Sequence, residues 1–370
     1  MAKPQTLNDM LKIYLDNARL VATTRDNSLE FEVKFGTKNI KRITKIDYDN
    51  VIQYLLSSGF TSSPEQYKLR IFNEFVDPKT GVTKLSHIRT ELSGIGNISR
   101  YCKNNNIMDE TGNTLASFEQ KNYFRKDAET FYPLDVDKYN FRVSMQQERM
   151  LSENSGVIKS IIDKWSDTKK VFRYMCRNTF RHPDYPLKVD MSIVKSSKRS
   201  GRHSVPEYQF VDSGLLESPE QYEIEIELDH TKIKQDGYDN PDILGGVLRK
   251  VIKLVLSGLQ GTNFPISYLE QRELLEAYMT VLWGDKHQHG NRILPRNFVG
   301  PSQYTLQINN IVPINSNSKI PNIRKHYTVT EKADGDRKLL YIAGDGKMYF
   351  ITTNMTVEFT GAFTSNKLIH

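Results

Sequence analysis

The sequence predicts an α+β protein built on an antiparallel β-sheet, closed into a barrel or folded as a sandwich, with helices on its flanks. Three observations lead there. From about Tyr67 to Leu228 most of the chain alternates polar and apolar residues between turn-rich stretches, which is the period of strands. The longest helical periodicities lie before and after that region. Charged residues make up 26% and hydrophobic ones 38% of the 370, enough to fold most of the chain around a core.

Leu7, Met10, Leu11, Tyr14 and Leu15 recur at helical spacing and predict an amphipathic helix over Leu7–Leu20. A strand follows at Leu29–Phe35 and a short helix at Asp49–Leu56. The clearest later strands are Tyr67–Phe75, His87–Leu92, Ser117–Phe124, Asn140–Glu148, Val171–Phe180, Leu187–Lys195 and Tyr222–Leu228, interrupted by a helix at Ser155–Trp165. Ser196–Arg202 reads as a basic, Ser-rich loop. Asn240 followed by Pro241 is a helix start, and that helix should run to about Leu259. A second helix is expected at Ser267–Trp283, both helices serving as supports against the sheet. Gly284–Arg292 reads as a linker; its His287 and His289 offer metal-ligand chemistry, but a solvated loop is the expectation, because no further His or Cys lies nearby. Strands are then expected around Tyr327–Thr330, Lys338–Ala343 and Lys347–Thr352, with Asp345-Gly346 turning the last hairpin.

Lys+Arg total 51 against 44 Asp+Glu, a net charge of +7 that suits a polyanionic partner without requiring one. Two cysteines, Cys102 and Cys176, offer neither a disulfide framework nor a Cys-based zinc site. No apolar run approaches the roughly 20 residues of a membrane span, and no signal-peptide core follows Met1. A soluble intracellular protein is the expectation.

Two strands are unusually acidic. Alternation puts Glu30, Glu32 and Lys34 on one face of Leu29–Phe35, and Glu223, Glu225 and Glu227 on one face of Tyr222–Leu228. Same-face neighbours stand about 7 Å apart. If such a face is enclosed, cations or protons must neutralise it. Oxygen-only ligation suits Mg²⁺ and Mn²⁺. If it is open, it is simply a wetted side of the sheet. The strands between carry cations. Arg142 shares a face with Ser144, Gln146 and Glu148, Arg173 with Arg177, Lys188 with Asp190 and Ser192, Arg89 with His87 and Glu91, and Lys121 with Glu119. An interior with acid on one side and Arg/Lys on the other would suit a triphosphate.

These strands resemble the triphosphate tunnel metalloenzymes, in particular the RNA triphosphatase domain of capping enzymes from large DNA viruses and fungi. That family carries Glu-x-Glu on its first barrel strand and Glu-x-Glu-x-Glu on its last, here Glu30/Glu32 and Glu223/Glu225/Glu227. The resemblance, over roughly Ser28–Leu228, implies a β-barrel tunnel. It implies metal held by Glu30, Glu32 and a third glutamate, foremost Glu227 and then Glu225 or Glu223. It implies phosphate contacts at Arg89, Lys121, Arg142, Arg177 and Lys188, with Glu148 as the acid that orients water.

Further on, Lys332-Ala333-Asp334-Gly335-Asp336-Arg337 resembles the nucleotidyl-lysine motif, Lys-x-Asp-Gly-x-Arg, of mRNA guanylyltransferases and polynucleotide ligases. It implies Lys332 as the nucleophile toward the α-phosphate of GTP, with Asp334, Gly335 and Arg337 at the nucleotide. Arg296-Asn297-Phe298-Val299-Gly300-Pro301 resembles the entry to that domain in viral capping enzymes. A triphosphatase (1–285) followed by the start of a guanylyltransferase (286–370) is the layout of large-DNA-virus capping enzymes. The family's later nucleotidyltransferase motifs are missing before His370, so the chain reads as the front part of a longer protein. The resemblance implies hydrolysis of the γ-phosphate of 5′-triphosphate RNA with Mg²⁺ or Mn²⁺, the first step of capping. It also implies GTP and a cap methyltransferase domain or subunit as partners, no membrane, and a place in the host cytoplasm or the virion. A tunnel phosphatase for free nucleotides or tripolyphosphate, and a non-catalytic RNA-binding module, are the alternatives.

Overall fold

Strands with one charged and one apolar face need two different environments, and the fold supplies one inside a ring and one outside it. The computed structural model describes residues 6–21, 27–38, 40–201, 203–300, 305–313, 320–331 and 334–369. The ring strands are β1 (Asn27–Phe35), β2 (Gln66–Val76), β3 (Ile88–Ser93), β4 (Ala116–Tyr123), β5 (Phe141–Met150), β6 (Lys170–Arg181), β7 (Leu187–Ser196) and β8 (Gln221–Leu228). Their order around the ring is β1-β5-β4-β3-β2-β6-β7-β8 and back to β1, antiparallel throughout. The ladder from Asn73 beside Lys170 to Gln66 beside Arg177 joins β2 to β6 and closes the barrel. Alternation alone is compatible with barrel and sandwich, and this ladder decides between them.

The apolar residues of β1, β5, β7 and β8 point outward. Phe31, Val33, Val143, Met145, Val189, Met191, Ile224 and Ile226 are fully or almost fully buried under α1 (Leu7–Val21), α2 (Lys45–Ser57) and the helix Pro241–Gln260. On the opposite wall, Leu69, Ile71, Leu92, Phe118 and Phe172 form a second core with Ile98 and Tyr101 of α3 (Ile95–Asn104) and Ile158 of α4 (Gly156–Asp163). The apolar cores therefore lie outside the barrel, and the other strand faces line its interior. No described helix is long and apolar enough to cross a membrane.

Most expected elements form within one or two residues of their predicted ends. The helix expected from Asp49 starts at Lys45, because Thr44 and Asp47 make a reciprocal capping box ahead of it. Helix α3, rich in Gly, Ser and Asn, has little intrinsic propensity and is held by packing of Ile98 and Tyr101. Inside the expected Ser196–Arg202 loop, Arg199–Ser200 pairs with His203–Ser204 in a small hairpin, and Arg202 itself lies outside the described residues. Tyr327–Thr330 is not a strand. Tyr327 and Val329 are exposed, and among the described residues no partner strand satisfies that backbone. The Asp345-Gly346 hairpin is as expected, and an unpredicted strand, Val357–Phe363, extends it to three.

Contacts divide the chain into two compact units between Tyr268 and Leu269. The helix Tyr268–Trp283, expected as a support of the barrel, falls almost wholly in the second unit. Its Glu270 accepts hydrogen bonds from Tyr349 Oη at 2.8 Å and Lys347 Nζ at 3.1 Å, and its Tyr278 meets the edge of Tyr341.

In the first unit, the helix Pro241–Gln260 crosses α2 at Gly258, where a β-carbon would stand 2.6 Å from Val51 Cα. Backbone cannot yield cheaply, so Gly258→Ala should destabilise the protein by about 2 kcal/mol. Gly246→Ala in the same helix meets nothing within 4 Å and should stabilise by up to about 1 kcal/mol. Urea unfolding midpoints check both signs.

Candidate active site

The inward faces carry the charges that alternation places together. Glu32 of β1 lies beside Glu227 of β8, and Lys34 beside Glu225. The five glutamates of the two acidic strands are only 14–19% exposed, so the face is enclosed and not a wetted sheet. They do not act as one group. Carboxylate oxygens of Glu30, Glu32 and Glu227 all lie within 4.8 Å of one another. Glu225 instead accepts from Lys34 at 2.7 Å and from Arg177 at 3.2 Å, and Glu223 from Lys34 at 3.3 Å and from Arg173. Of the five expected metal ligands, three converge, with Lys121 and Lys188 against them, and two turn instead to Lys34, Arg173 and Arg177. An oxygen-only trio of this kind fits a hard divalent cation.

Four of the five expected phosphate contacts sit near that trio. Lys121 Nζ is 2.6 Å from Glu30, 2.6 Å from Glu32 and 3.2 Å from Glu148. Arg89 bonds Glu148 and lies 3.3 Å from Glu119. Lys188 Nζ is 3.0 Å from Glu227. Arg177 donates to Asp190 at 2.9 Å and Ser192 at 3.0 Å. Arg142 stands apart, beside Lys34 in register, with a bidentate hold on Asp135 and a side chain 37% exposed. Sequence reasoning misses a further pair. Lys68 and Arg70 both contact Glu91 at 2.7 Å, and Glu91 is 4% exposed. The alternation Tyr67-Lys68-Leu69-Arg70-Ile71 is the available signal. The expectation of acid on one side and base on the other is also corrected, since Glu91, Glu119, Glu148 and Asp190 stand among the cations. A buried wall of cations alone would cost as much as one of anions.

The environment separates the carboxyls. Burial is the largest influence on Glu30 and raises its pKa. Glu227 and Glu148 add to this, and Lys121 only partly opposes it. Burial also raises Glu227, against the pull of Lys188. For Glu148 and Glu225 burial is again the largest influence, but cations outweigh it and the pKa falls. Lys121 and Arg89 act on Glu148, together with a hydrogen bond from Glu30, and Lys34 and Arg177 act on Glu225.

No protein-family model matches the chain. Over 370 residues it is 25% identical to a probable mRNA-capping enzyme of Acanthamoeba polyphaga mimivirus, covering 95% of this chain and 26% of that protein. The chain is similar to a viral capping enzyme along nearly its whole length. It spans about a quarter of that relative (26%). Among solved structures, the RNA triphosphatase domain of a trifunctional mimivirus mRNA capping enzyme aligns at 16% identity and TM-score 0.35, over 63% of this chain and 97% of its own. An S. pombe RNA triphosphatase aligns at 12% identity and TM-score 0.36, over 69% and 93%.

In the second unit, Lys332 lies outside the described residues, while Asp334, Gly335 and Arg337 are exposed. The Arg337 guanidinium lies 4.9 Å from the Phe298 ring centroid, so the two segments singled out there meet. The linker histidines are not both solvated. His287 is 6% exposed and contacts Glu276, a helix residue far enough back in sequence to escape a search for neighbouring His or Cys.

A raised Glu30 means that the metal-free folded chain keeps a proton which the unfolded chain releases above the ordinary carboxylate pKa of about 4.3. Folding stability from this group is therefore present below that pH and lost as pH rises toward the folded pKa. Glu30→Gln keeps a donor toward Glu148 and removes the titration. With chelator present, the variant should melt at higher temperature than the parent at mildly alkaline pH, and the gap should close near pH 4. Glu225→Gln should melt lower at neutral pH, because it weakens the hold on Lys34 and Arg177 and removes a depressed carboxylate. Thermal unfolding at the two pH values separates these outcomes.

Proposed function

We propose that this chain hydrolyses the γ-phosphate from the 5′-triphosphate end of RNA, with Mg²⁺ or Mn²⁺ held by Glu30, Glu32 and Glu227. The observation that carries the reading is the convergence of those three carboxylates within 4.8 Å inside a closed barrel. The same lining carries Arg89, Lys121, Arg177 and Lys188. Similarity to a capping enzyme along 95% of the chain supports RNA as the substrate.

A bound divalent cation supplies positive charge to the oxygens of the transferred phosphoryl group. Lys188, on β7 beside β8, and Arg177, on β6 one strand further round, are placed to grip the remaining phosphate oxygens. Lys121 bridges Glu30 and Glu32 and offsets part of their charge. Were Glu30 and Glu32 to hold the cation, the Lys121 ammonium would be available to phosphate oxygens. Arg142, half-exposed at the Lys34 end, is placed to meet the outer phosphates or the RNA backbone. Glu148, held ionised by Lys121 and Arg89, accepts a hydrogen bond from water and aims its oxygen at phosphorus. The new water–phosphorus bond forms as the bond from phosphorus to the β–γ bridging oxygen breaks, leaving a diphosphate end and releasing dihydrogen phosphate, which carries the oxygen and both protons of the water.

In the second unit we propose the front of a guanylyltransferase. Lys332 is its nucleophile toward GTP, Asp334, Gly335 and Arg337 contact the nucleotide, and a cap methyltransferase acts downstream.

Phosphate release from triphosphate-ended RNA should require Mg²⁺ or Mn²⁺. It should fall about a hundred-fold or more in Glu32→Gln and Glu227→Gln, as when a main source of charge stabilisation is lost. It should exceed release from free ATP. Undiminished release in excess chelator, or parental rates in both variants, would remove the tunnel from the chemistry.

For the second unit, the Lys-x-Asp-Gly-x-Arg segment by itself does not assemble the charge that α-phosphate chemistry needs. Incubated with α-labelled GTP and metal, the 370-residue chain should show no label after denaturing electrophoresis. A chain extended through the remaining domain should label, and Lys332→Ala should abolish it. A labelled band from the short chain that disappears in Lys332→Ala contradicts this.

A further inference from the structure

Outside the tunnel, the described residues contain one other group with metal-ligand chemistry, and it lies wholly within the second unit. The helix Tyr268–Trp283 ends in a short turn, Gly284–Lys286, and the chain doubles back over the helix surface. The reversal brings His287 and His289 against Glu276. His287 Nε2 is 2.6 Å from Glu276 Oε2, and His289 Nδ1 is 3.2 Å from the same oxygen. The three donor atoms all lie within 4.8 Å of one another. The rings pack edge to face, with centroids 4.9 Å apart.

The surroundings orient this trio. The Gly290 N–H donates to Glu276 Oε1 at 3.1 Å, which fixes the carboxylate and leaves Oε2 turned toward both imidazoles. Gly290 has φ +85, a backbone that side-chain-bearing residues rarely adopt, so the loop is shaped to deliver that N–H. The two histidines differ in access. His287 is 6% exposed and His289 71%, so the group is anchored from below and open from above.

We propose that Glu276, His287 and His289 form a binding site for a borderline divalent cation of the zinc type, with a fourth position open on the His289 side. Two imidazole nitrogens and one carboxylate oxygen are a donor set that such ions take, with bonds of about 2.0–2.2 Å. Neutral imidazole is a poorer match for Mg²⁺, which prefers the oxygen-only trio of the tunnel. The chain thus carries two sites whose donor chemistry selects different metals. Filling the second clasps the 284–290 loop to its helix. Without metal, the same atoms form a hydrogen-bonded clasp, which is the competing account.

The test uses the full chain stripped with chelator and kept in excess Mg²⁺, so that the tunnel glutamates favour that ion. Titration with Zn²⁺ against a chromophoric chelator should show one tight equivalent. Co²⁺ in its place should give the visible d–d bands of a four-coordinate, imidazole-ligated ion. Both signals should persist in Glu32→Gln, a tunnel variant. Both should weaken at least about ten-fold in His289→Ala, where the side chain is exposed and the fold does not depend on it. His287→Ala and Glu276→Gln should abolish them. Zinc uptake and cobalt bands unchanged in His289→Ala, or no zinc bound by the parent chain in excess Mg²⁺, overturn the proposal and leave the hydrogen-bonded clasp. RNA phosphate release plays no part in the readout, so the tunnel reading stands or falls separately.

Discussion

The Lys121 ammonium touches three carboxylates from two strands, at 2.6 Å from Glu30, 2.6 Å from Glu32 and 3.2 Å from Glu148. It marks the constraint under which the whole interior is built. Eight strands turn their charged faces onto one enclosed space, and a charge there without a partner is costly. The partners are found across strands: Glu225 with Lys34 and Arg177, Glu91 with Lys68 and Arg70, Arg89 with Glu119 and Glu148. Most carboxylates in the tunnel are neutralised in this way. Glu30 is left with more negative neighbours than one lysine can answer, so it takes up a proton. Protonation of that kind and cation binding are two answers to one excess of negative charge.

The polar interior also explains why the helices are where they are. A small barrel usually buries its apolar side chains inward. Here that space is taken by charge, and the apolar residues must be covered from outside. Two separate cores result, one under α1, α2 and the helix Pro241–Gln260, the other under α3 and α4. The close crossing at Gly258 belongs to the first of these, which backs β1 and β8, the strands that present the convergent glutamates. Packing outside the barrel thus positions the glutamates inside it. Residues outside the barrel hold the glutamate trio in register.

Much of this architecture is legible in the amino-acid sequence. Alternation in Leu29–Phe35 and Tyr222–Leu228 assigns each glutamate to its face, and capping at Asn240-Pro241 sets the start of the long helix. Less legible are elements whose stability comes from contacts rather than from pattern. Helix α3 is one, and Lys68 and Arg70 escape notice although their alternation is plain. Tyr327–Thr330 errs the other way, an apolar-looking run for which the described fold provides no partner strand. The histidine pair after the second helix reads as solvated because its third member, Glu276, sits on a helix assigned to support.

What the sequence determined by itself is the face on which each side chain stands, because adjacent residues on a strand must point in opposite directions. It could not decide which charges meet. Glu32 and Glu227 are neighbours only through the pairing of β1 with β8, and Glu30 joins them while Glu223 and Glu225 are drawn to Lys34, Arg173 and Arg177. Barrel closure between β2 and β6 brings the remaining cations round to face them. Those distances follow from ladder register between strands far apart in the chain. Register is set by the fit of the outer apolar faces against their helices, which local sequence does not encode.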